Sequence, residues 1–525
     1  MKKTLIATAV AASVVAPISA FAVNSAADDA GEALIFPYYN VNQGNQSFIG
    51  VVNTTADVKV LKVRFREGVE SEDIFDFQLW LSPHDHWTAV IQQTVDGQGV
   101  VVNTADLSCT VPQVVNNPNA RFNPTRIPAI YTGSVIDRIS EGHVEVIEMA
   151  TVTLHGVVGI GELATAVTHV NGVPANCGGP VAFNNQGYVI RDTAGNPYTN
   201  NLWGGVFNEP TGGVYGIAAV FNPNDGTYFT YTAEGLEEFA ATPIFYPQVE
   251  APYSPGANHT ADQFLGSVQV LAFDLPDIST PDSIEGGAAN TITSLTFAQS
   301  GAVTSGTYVT NGVVIADNLG SAPLSNAPAV VGTDAAEKKR DAVTTALLGV
   351  RVINDYLTGD LYDTDWVFTF PGRYLYRDPL IPNTFTYPME APFQSIVDRT
   401  TGRGCEEFGS NVLYGREEEQ LIGSNIDFSP GNAPDVFALC YEVNVISIND
   451  PAPLGSPSGA LGSIAVRANA GSTQQFGWAD LGMANHALTD DAAVVHLGMP
   501  VVGFAAITER KGLVDRGGAF MHKIT

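Results

Sequence analysis

The sharpest metal-like spelling in the chain is Ser82-Pro83-His84-Asp85-His86-Trp87. Residues two apart on a strand point the same way, so His84 and His86 would present two imidazoles together, the beginning of a zinc or copper site. A closed site needs further ligands, and His143, His155 and His169 follow at no spacing that forces convergence. The competing reading is a pair of exposed polar residues near a strand end. A second candidate is the acidic set Asp355, Asp360, Asp363 and Asp365, because calcium takes several oxygens gathered on a flexible loop. Its spacing departs from an EF-hand loop, whose glycine and terminal glutamate are misplaced here. The expectation is no cofactor, with calcium at this set as the alternative to a solvated turn between strands. Glu417, Glu418 and Glu419 read as a charged helix face or turn.

Four cysteines, Cys109, Cys177, Cys405 and Cys440, make an even number with no C-x-x-C spacing. A zinc ribbon or redox dithiol is disfavoured, and two disulfides are the economical use. Of three connectivities, Cys109 with Cys177 and Cys405 with Cys440 keeps each bridge within one domain, and each would constrain the unfolded chain by about 4 kcal/mol. Nucleophilic catalysis finds no footing: Gly409-Ser410 and Gly423-Ser424 lack the flanking pattern of a G-x-S-x-G elbow. No phosphate-binding glycine loop follows a strand and opens a helix, and carboxylate pairs for glycoside hydrolysis cannot be chosen without geometry among 54 acidic residues. Tyr38, Tyr39, Trp80, Trp87, Trp203, Trp366 and Trp478 lie in or beside apparent strands, where aromatic rings serve as core, interface or sugar-stacking platforms.

The elements that would position these residues are strands. Leu61, Val63 and Phe65 alternate with Lys62, Arg64 and Arg66, and Phe75, Phe77, Leu79 and Leu81 alternate with Asp76, Gln78, Trp80 and Ser82. Period two predicts antiparallel strands with one face buried and the other wet. Trp80 falls on the face opposite Phe77 and Leu79, so either a second layer covers it or it is a contact residue. Similar short segments return at Gly142 to Val152, Tyr215 to Phe221, Thr227 to Thr232, Ala346 to Asn354, Trp366 to Phe370, Val436 to Ile448, Ser463 to Ala468 and Pro500 to Ile507. With 52 Gly and 31 Pro, turns abound. Only Ala233 to Ala241, Ala335 to Thr345 and Glu406 to Gln420 look helical.

The expected fold is mainly β: two β-sandwich-like domains with long loop insertions and few short helices. Residues 23–245 form the first domain and 341–525 the second, separated by a loop-rich insertion or linker at 246–340 with weak strands at Thr291 to Phe297 and Gly306 to Ile315. Residues 1–22 read as a secretory signal peptide, with Lys2 and Lys3, an apolar run from Leu5 to Val15 and Ala20-Phe21-Ala22. The apolar run is too short for a membrane span, no lipobox cysteine is near, and no later run would cross as a helix. The expected location is extracellular or at the cell surface, or the periplasm.

The chain carries 24 Lys plus Arg against 54 Asp plus Glu, a net charge of -30; loss of Lys2 and Lys3 takes it to -32. Nucleic acid and anionic membrane surfaces are repelled. Several phrases resemble a family of uncharacterised secreted surface proteins of gram-negative bacteria: Ile35-Phe36-Pro37-Tyr38-Tyr39, Val51-Val52-Asn53-Thr54, Lys62-Val63-Arg64-Phe65-Arg66-Glu67-Gly68, Leu79-Trp80-Leu81-Ser82-Pro83 and Thr364-Asp365-Trp366-Val367-Phe368-Thr369-Phe370-Pro371. The resemblance implies a secreted, β-rich protein and supplies no activity or site residue. The expectation is an exported non-enzymatic protein with a structural, adhesive or assembly role, whose partners are other surface proteins, itself or glycans. The strand at Val501 to Ile507 is a candidate for pairing between subunits. The alternative is a secreted carbohydrate-binding or carbohydrate-active protein, which requires carboxylates about 5 to 10 Å apart in a cleft flanked by Trp or Tyr.

Overall fold

A computed structural model describes residues 23–69, 73–124, 134–152, 161–181, 207–241, 334–359, 361–376, 404–408, 410–416, 438–448, 476–489, 494–511 and 514–525, with shorter pieces between them. The leader at 1–22 and Asp360 lie outside the described residues. The chain is mainly β and its sheets are antiparallel almost throughout. In the N-terminal half the principal strands are β1 (Ala33–Asn40), β2 (Gln46–Asn53), β3 (Val58–Glu67), β4 (Asp73–Leu81), β5 (His86–Gln93), β6 (Val100–Asn103), β7 (Cys109–Val111), β8 (Glu141–Val152), β9 (Val214–Phe221), β10 (Tyr228–Thr232) and β11 (Glu234–Glu237). One sheet runs β11-β1-β8-β3-β4-β7 and the facing sheet runs β10-β9-β2-β5-β6. Leu61, Val63 and Phe65 of β3 meet Ile49, Trp87 and Val220 of the facing sheet in one apolar cluster. This is the sandwich that the period-two pattern predicts.

The C-terminal half adds β12 (Arg351–Leu357), β13 (Tyr362–Thr369), β14 (Ser410–Gly415), β15 (Val443–Ile448), β16 (Phe476–Gly482), β17 (Val502–Lys511) and β18 (Val514–Met521). One sheet contains β14-β16-β12 and the other β15-β13-β17-β18. Tyr356, Leu413 and Ala479 of the first pack on Trp366, Phe368 and Ile446 of the second. The opposite face of that second sheet, with Val367, Val445 and Phe504, joins the N-terminal core. Phe504 stacks on Tyr231 at 4.5 Å, and Thr369 Oγ1 donates to Pro37 O at 2.5 Å. The second sandwich is thus seated on the core of the first through one face of this sheet, and keeps a core of its own on the other. From the intervening segment, strands Ile292–Phe297, Gly306–Thr310, Val313–Asp317 and Ala329–Val330 form a four-stranded antiparallel sheet.

Three local expectations are corrected. Residues 233–241 contain the strand β11, and 406–420 hold β14 and the strand Gly404–Glu407; in both, pairing with a neighbouring strand outweighs helix-forming residues. The helix at 335–345 is present as Asp334–Ala346. The segment Val501 to Ile507 belongs, from Val502 on, to β17, hydrogen-bonded on both sides by β13 and β18, so its edges are closed to a second subunit.

The larger correction concerns the face expected to be wet. All ten residues of β3 and all twelve of β8 are buried. Lys62 pairs with Asp76 at 2.9 Å, Arg64 with Asp73, and Arg66 Nε lies 2.8 Å from Glu145 Oε1. Alternation assigns residues to two faces but cannot say what covers each one. Here Gln248 covers Lys62, donating its amide to Asp76 and accepting from Lys62 Nζ at 2.5 Å. The Tyr374 ring lies 4.6 Å below the Arg66 guanidinium. Nearby, Val343 and Leu347 from the helix end pack on Ala33, Ile35 and Ile147. At the β3–β4 turn, Glu442 N donates to Val69 O and Val443 N to Gly68 O, docking the C-terminal half onto the hairpin tip.

Burial sets the titration of this junction. It pushes Glu442 and Glu406 up to about 8, against the pull of Arg373, and Asp365 up to about 7, against the Ser447 hydroxyl and the Leu454 amide. Burial also raises Glu145, but Arg66 and His143 reverse this and hold it at about 2. A carboxyl raised in the folded state disfavours folding once the unfolded chain ionises, above about pH 4.5, with the penalty growing until pH 7 to 8. Glu145 acts oppositely, lending stability above pH 4.5 that is lost as pH falls towards 2. Melting temperature is therefore expected to peak near pH 5 and fall towards pH 8, and Glu442→Gln should flatten the alkaline limb. A melting temperature that climbs steadily from pH 5 to 8 contradicts the assignment. Arg138, bidentate on the buried Glu67 through Nη2 at 2.7 Å and Nε at 2.9 Å, gives a second check: Arg138→Ala should cost about 3 to 5 kcal/mol in urea denaturation, because it strands a buried carboxylate.

Candidate functional site

The H-x-H pair does not share a strand. His84 sits in a turn with φ +57°, and His86 opens β5 with its ring over Gly50, where an added Cβ would meet Nε2 at 2.7 Å. Both are exposed. The residue between them carries the structure: Asp85 Oδ2 accepts from Ser82 N at 3.1 Å, Ser82 Oγ at 3.2 Å and Ser108 Oγ at 3.3 Å. His169 Nδ1 lies 2.8 Å from Ser82 Oγ and 3.4 Å from Asp85 Oδ2. Serine, histidine and aspartate thus meet, from positions 87 residues apart. In a catalytic triad the serine and the aspartate engage opposite ring nitrogens, so that the carboxylate orients the imidazole while its other nitrogen takes the serine's proton. Here both contact Nδ1, and the cluster ties the hairpin at His169 to the turn before β5. The pair His84 and His86 is not brought towards it.

The acidic set also disperses. Asp363 pairs with Arg510 at 2.5 Å, and Asp365 is buried, accepting from Leu454 N at 2.8 Å. Asp355 is exposed on β12, in the other sheet. Among the described residues no group of three or more His, Cys, Asp or Glu could hold a metal ion. Placement on two sheets, with an arginine and a backbone amide as partners, has taken the place of the cation-binding loop. Both disulfides are present, Cys109–Cys177 and Cys405–Cys440. Among the described residues no helix is long and apolar enough to cross a membrane.

Trp80 is not a contact residue: it is fully buried. A second layer covers it, with Phe207 and Phe245 each at 6.2 Å between ring centroids, and its indole N–H meets Gln78 Oε1 at 3.2 Å. Cys109 stands opposite it in the register of β4 and β7, so the bridge to Cys177 closes over the same layer.

A different aromatic occupies the surface. On the outer face of the β14-β16-β12 sheet, Tyr414, Trp478 and Asp355 are direct cross-strand neighbours. The Tyr414 and Trp478 rings stack at 4.3 Å with an interplanar angle of 14°, and Trp478 remains 36% exposed. With Arg416, Phe476 and Gly477 they line a groove of about 650 Å³. The opposite face of the sheet holds the platform still. Tyr356 Oη donates to Tyr414 O at 3.2 Å, and this approach requires glycine at 477, where a Cβ would collide with Tyr414 O and the Tyr356 hydroxyl. Cross-strand aromatic pairs of this kind stabilise a sheet, yet a large exposed indole in a concave wall has the chemistry of a contact site. Asp355 and Trp478 both stand out in the sequence; their adjacency depends on a register between strands more than a hundred residues apart.

Comparison with protein-family models, with curated proteins and with solved structures finds no match.

Trp80→Ala is expected to lower stability by about 3 to 5 kcal/mol through loss of buried ring packing, without altering ligand contact at the Trp478 groove. Denaturant unfolding reads the first, and Trp478 fluorescence in the folded variant reads the second. A change below about 1 kcal/mol would return Trp80 to the surface.

Proposed function

We propose that this chain is an exported, non-enzymatic protein of the cell surface or extracellular space that acts by adhesion, with the Tyr414–Trp478 groove as its contact site. The observation that carries this reading is a rigid aromatic platform beside a single lining carboxylate. Asp355 is the one acidic residue among the described residues of the groove wall. Hydrolysis of a glycosidic bond by the usual route needs two carboxylates facing each other across the substrate, whereas binding needs only shape, an apolar surface and a few orienting polar groups. Two disulfides fit an oxidising compartment, in keeping with the signal-type leader and with the resemblance to secreted surface proteins. The acidic composition opposes nucleic acid as a partner.

Fractionation of the native host tests the location, and surface retention of Trp478→Ala tests the site. The expected result is wild-type protein outside the cytoplasm and a folded, equally exported variant retained several-fold less. Cytoplasmic accumulation, or equal retention of the two proteins, overturns the proposal. Gel filtration of the purified product separates an adhesin from an assembly subunit: a monomer is expected, and large homogeneous particles would favour the structural role instead.

A further inference from the structure

Resting on the reading of the groove as a contact site, the geometry points to its ligand: we infer that the groove holds an extended, uncharged carbohydrate chain, laid across the strands with a sugar ring on Trp478. Neighbouring strands lie about 4.8 Å apart, so the row Tyr414, Trp478 and Asp355 spans about 10 Å, the width of about two sugar rings. Because Tyr414 covers one side of the indole in near-parallel stacking, Trp478 is fixed as a flat apolar surface with little side-chain entropy left to lose on binding. A pyranose offers such a surface a patch of C–H groups and carries hydroxyls around its rim. Those hydroxyls need charged or polar partners at the edge of the platform, and Asp355 and Arg416 stand there. Phe476 extends the apolar floor by one position along β16, and Tyr362 packs edge-on against it at 5.5 Å. A lipid or an apolar helix would demand a wider apolar surface than these rings provide.

Charge selects among sugars. The chain bears a net charge of -30, and in the groove itself the carboxylate of Asp355 stands against the guanidinium of Arg416, so its described lining carries no net positive charge to offset that field. The nearest acid–base pair on the same face, Arg351 with Asp480, is internally matched. A polyuronate or sulfated glycan would approach against the field of the whole molecule, whereas a neutral chain is indifferent to it.

The test titrates the full-length protein with cellohexaose, maltohexaose and the galacturonic acid hexamer, reading the heat of binding by calorimetry and, in the wild type, tryptophan fluorescence. Among the described tryptophans Trp80, Trp87 and Trp366 are buried and Trp478 is exposed, so a fluorescence change that disappears in Trp478→Ala places the ring on Trp478. The expected result is saturable change with a neutral hexamer, weakening of about tenfold or more in Trp478→Ala, partial recovery in Trp478→Phe, and unchanged melting of both variants. Tighter binding of the galacturonate hexamer overturns the uncharged-ligand assignment. If no sugar binds while Trp478→Ala still loses surface retention, the carbohydrate assignment falls and the contact site stands. If no sugar binds and retention is also unchanged, both fall.

Discussion

The structure depends on the ion pairs sealed against the outer face of β3. Moving a charged group out of water costs several kcal/mol unless a partner meets it with good geometry, and here the partners come from three directions. Asp76 and Asp73 belong to β4, Glu145 to β8, and Arg138, which holds Glu67, to the short helix before β8. Such pairs add little net stability compared with apolar residues of the same volume. Their effect is on register. A slip of β3 by one residue would turn Lys62, Arg64 and Arg66 into the apolar space between the sheets, where Phe65 and Val63 now pack. The charged side chains therefore make the correct strand pairing the one arrangement in which every charge has a counter-charge.

That layer needs a cover, and the C-terminal half supplies it. Tyr374 lies under Arg66, Glu442 reaches the same region, and the backbone of residues 442 and 443 is hydrogen-bonded to the hairpin tip. Separation of the two halves would expose both the ion pairs and the apolar surface around Phe504, Tyr38 and Tyr231. A junction with so much to lose is held closed. The consequence for function is positional: a site between the halves would be buried in this layer, whereas the outer sheet of the second sandwich is free to carry one without disturbing the core.

Much of the fold was legible from residue types. The alternation in β3 and β4, the glycine-rich and proline-rich turns and the even cysteine count lead to antiparallel sandwiches and to the two bridges that form. What local pattern cannot hold is the identity of a second covering layer, since Gln248, Tyr374 and Glu442 are far from β3 along the chain. That is why Lys62, Arg64 and Arg66 read as solvated and why Trp80 remained ambiguous. The groove was hidden for the same reason. Trp478 lies in a run of only a few alternating residues, Trp478 to Leu481, too short to mark a strand, Asp355 looks like a member of an acidic loop, and only the pairing of β12 with β16 puts them side by side. His84 and His86 misled in a different way, because a two-residue motif assumes a strand and the chain turns at His84.

The use of cations inside the protein also determines what the outside can bind. Among the described residues of the N-terminal half, Lys59, Lys62, Arg64, Arg66 and Arg138 are buried, while Arg121 retains partial exposure. Pairing them internally leaves the net charge unchanged but withdraws the bases from solvent, so this half presents carboxylates with hardly any counter-charge. The second half keeps Arg351, Arg416, Arg516 and Lys523 exposed, on or near the sheets around the groove. Long-range repulsion of anions and local hydrogen-bond donors thus act together in one molecule. A partner reaching the Trp478 face must tolerate the field of the whole protein before it can use the donors there, which favours hydroxyl-rich, uncharged chemistry over any polyanion.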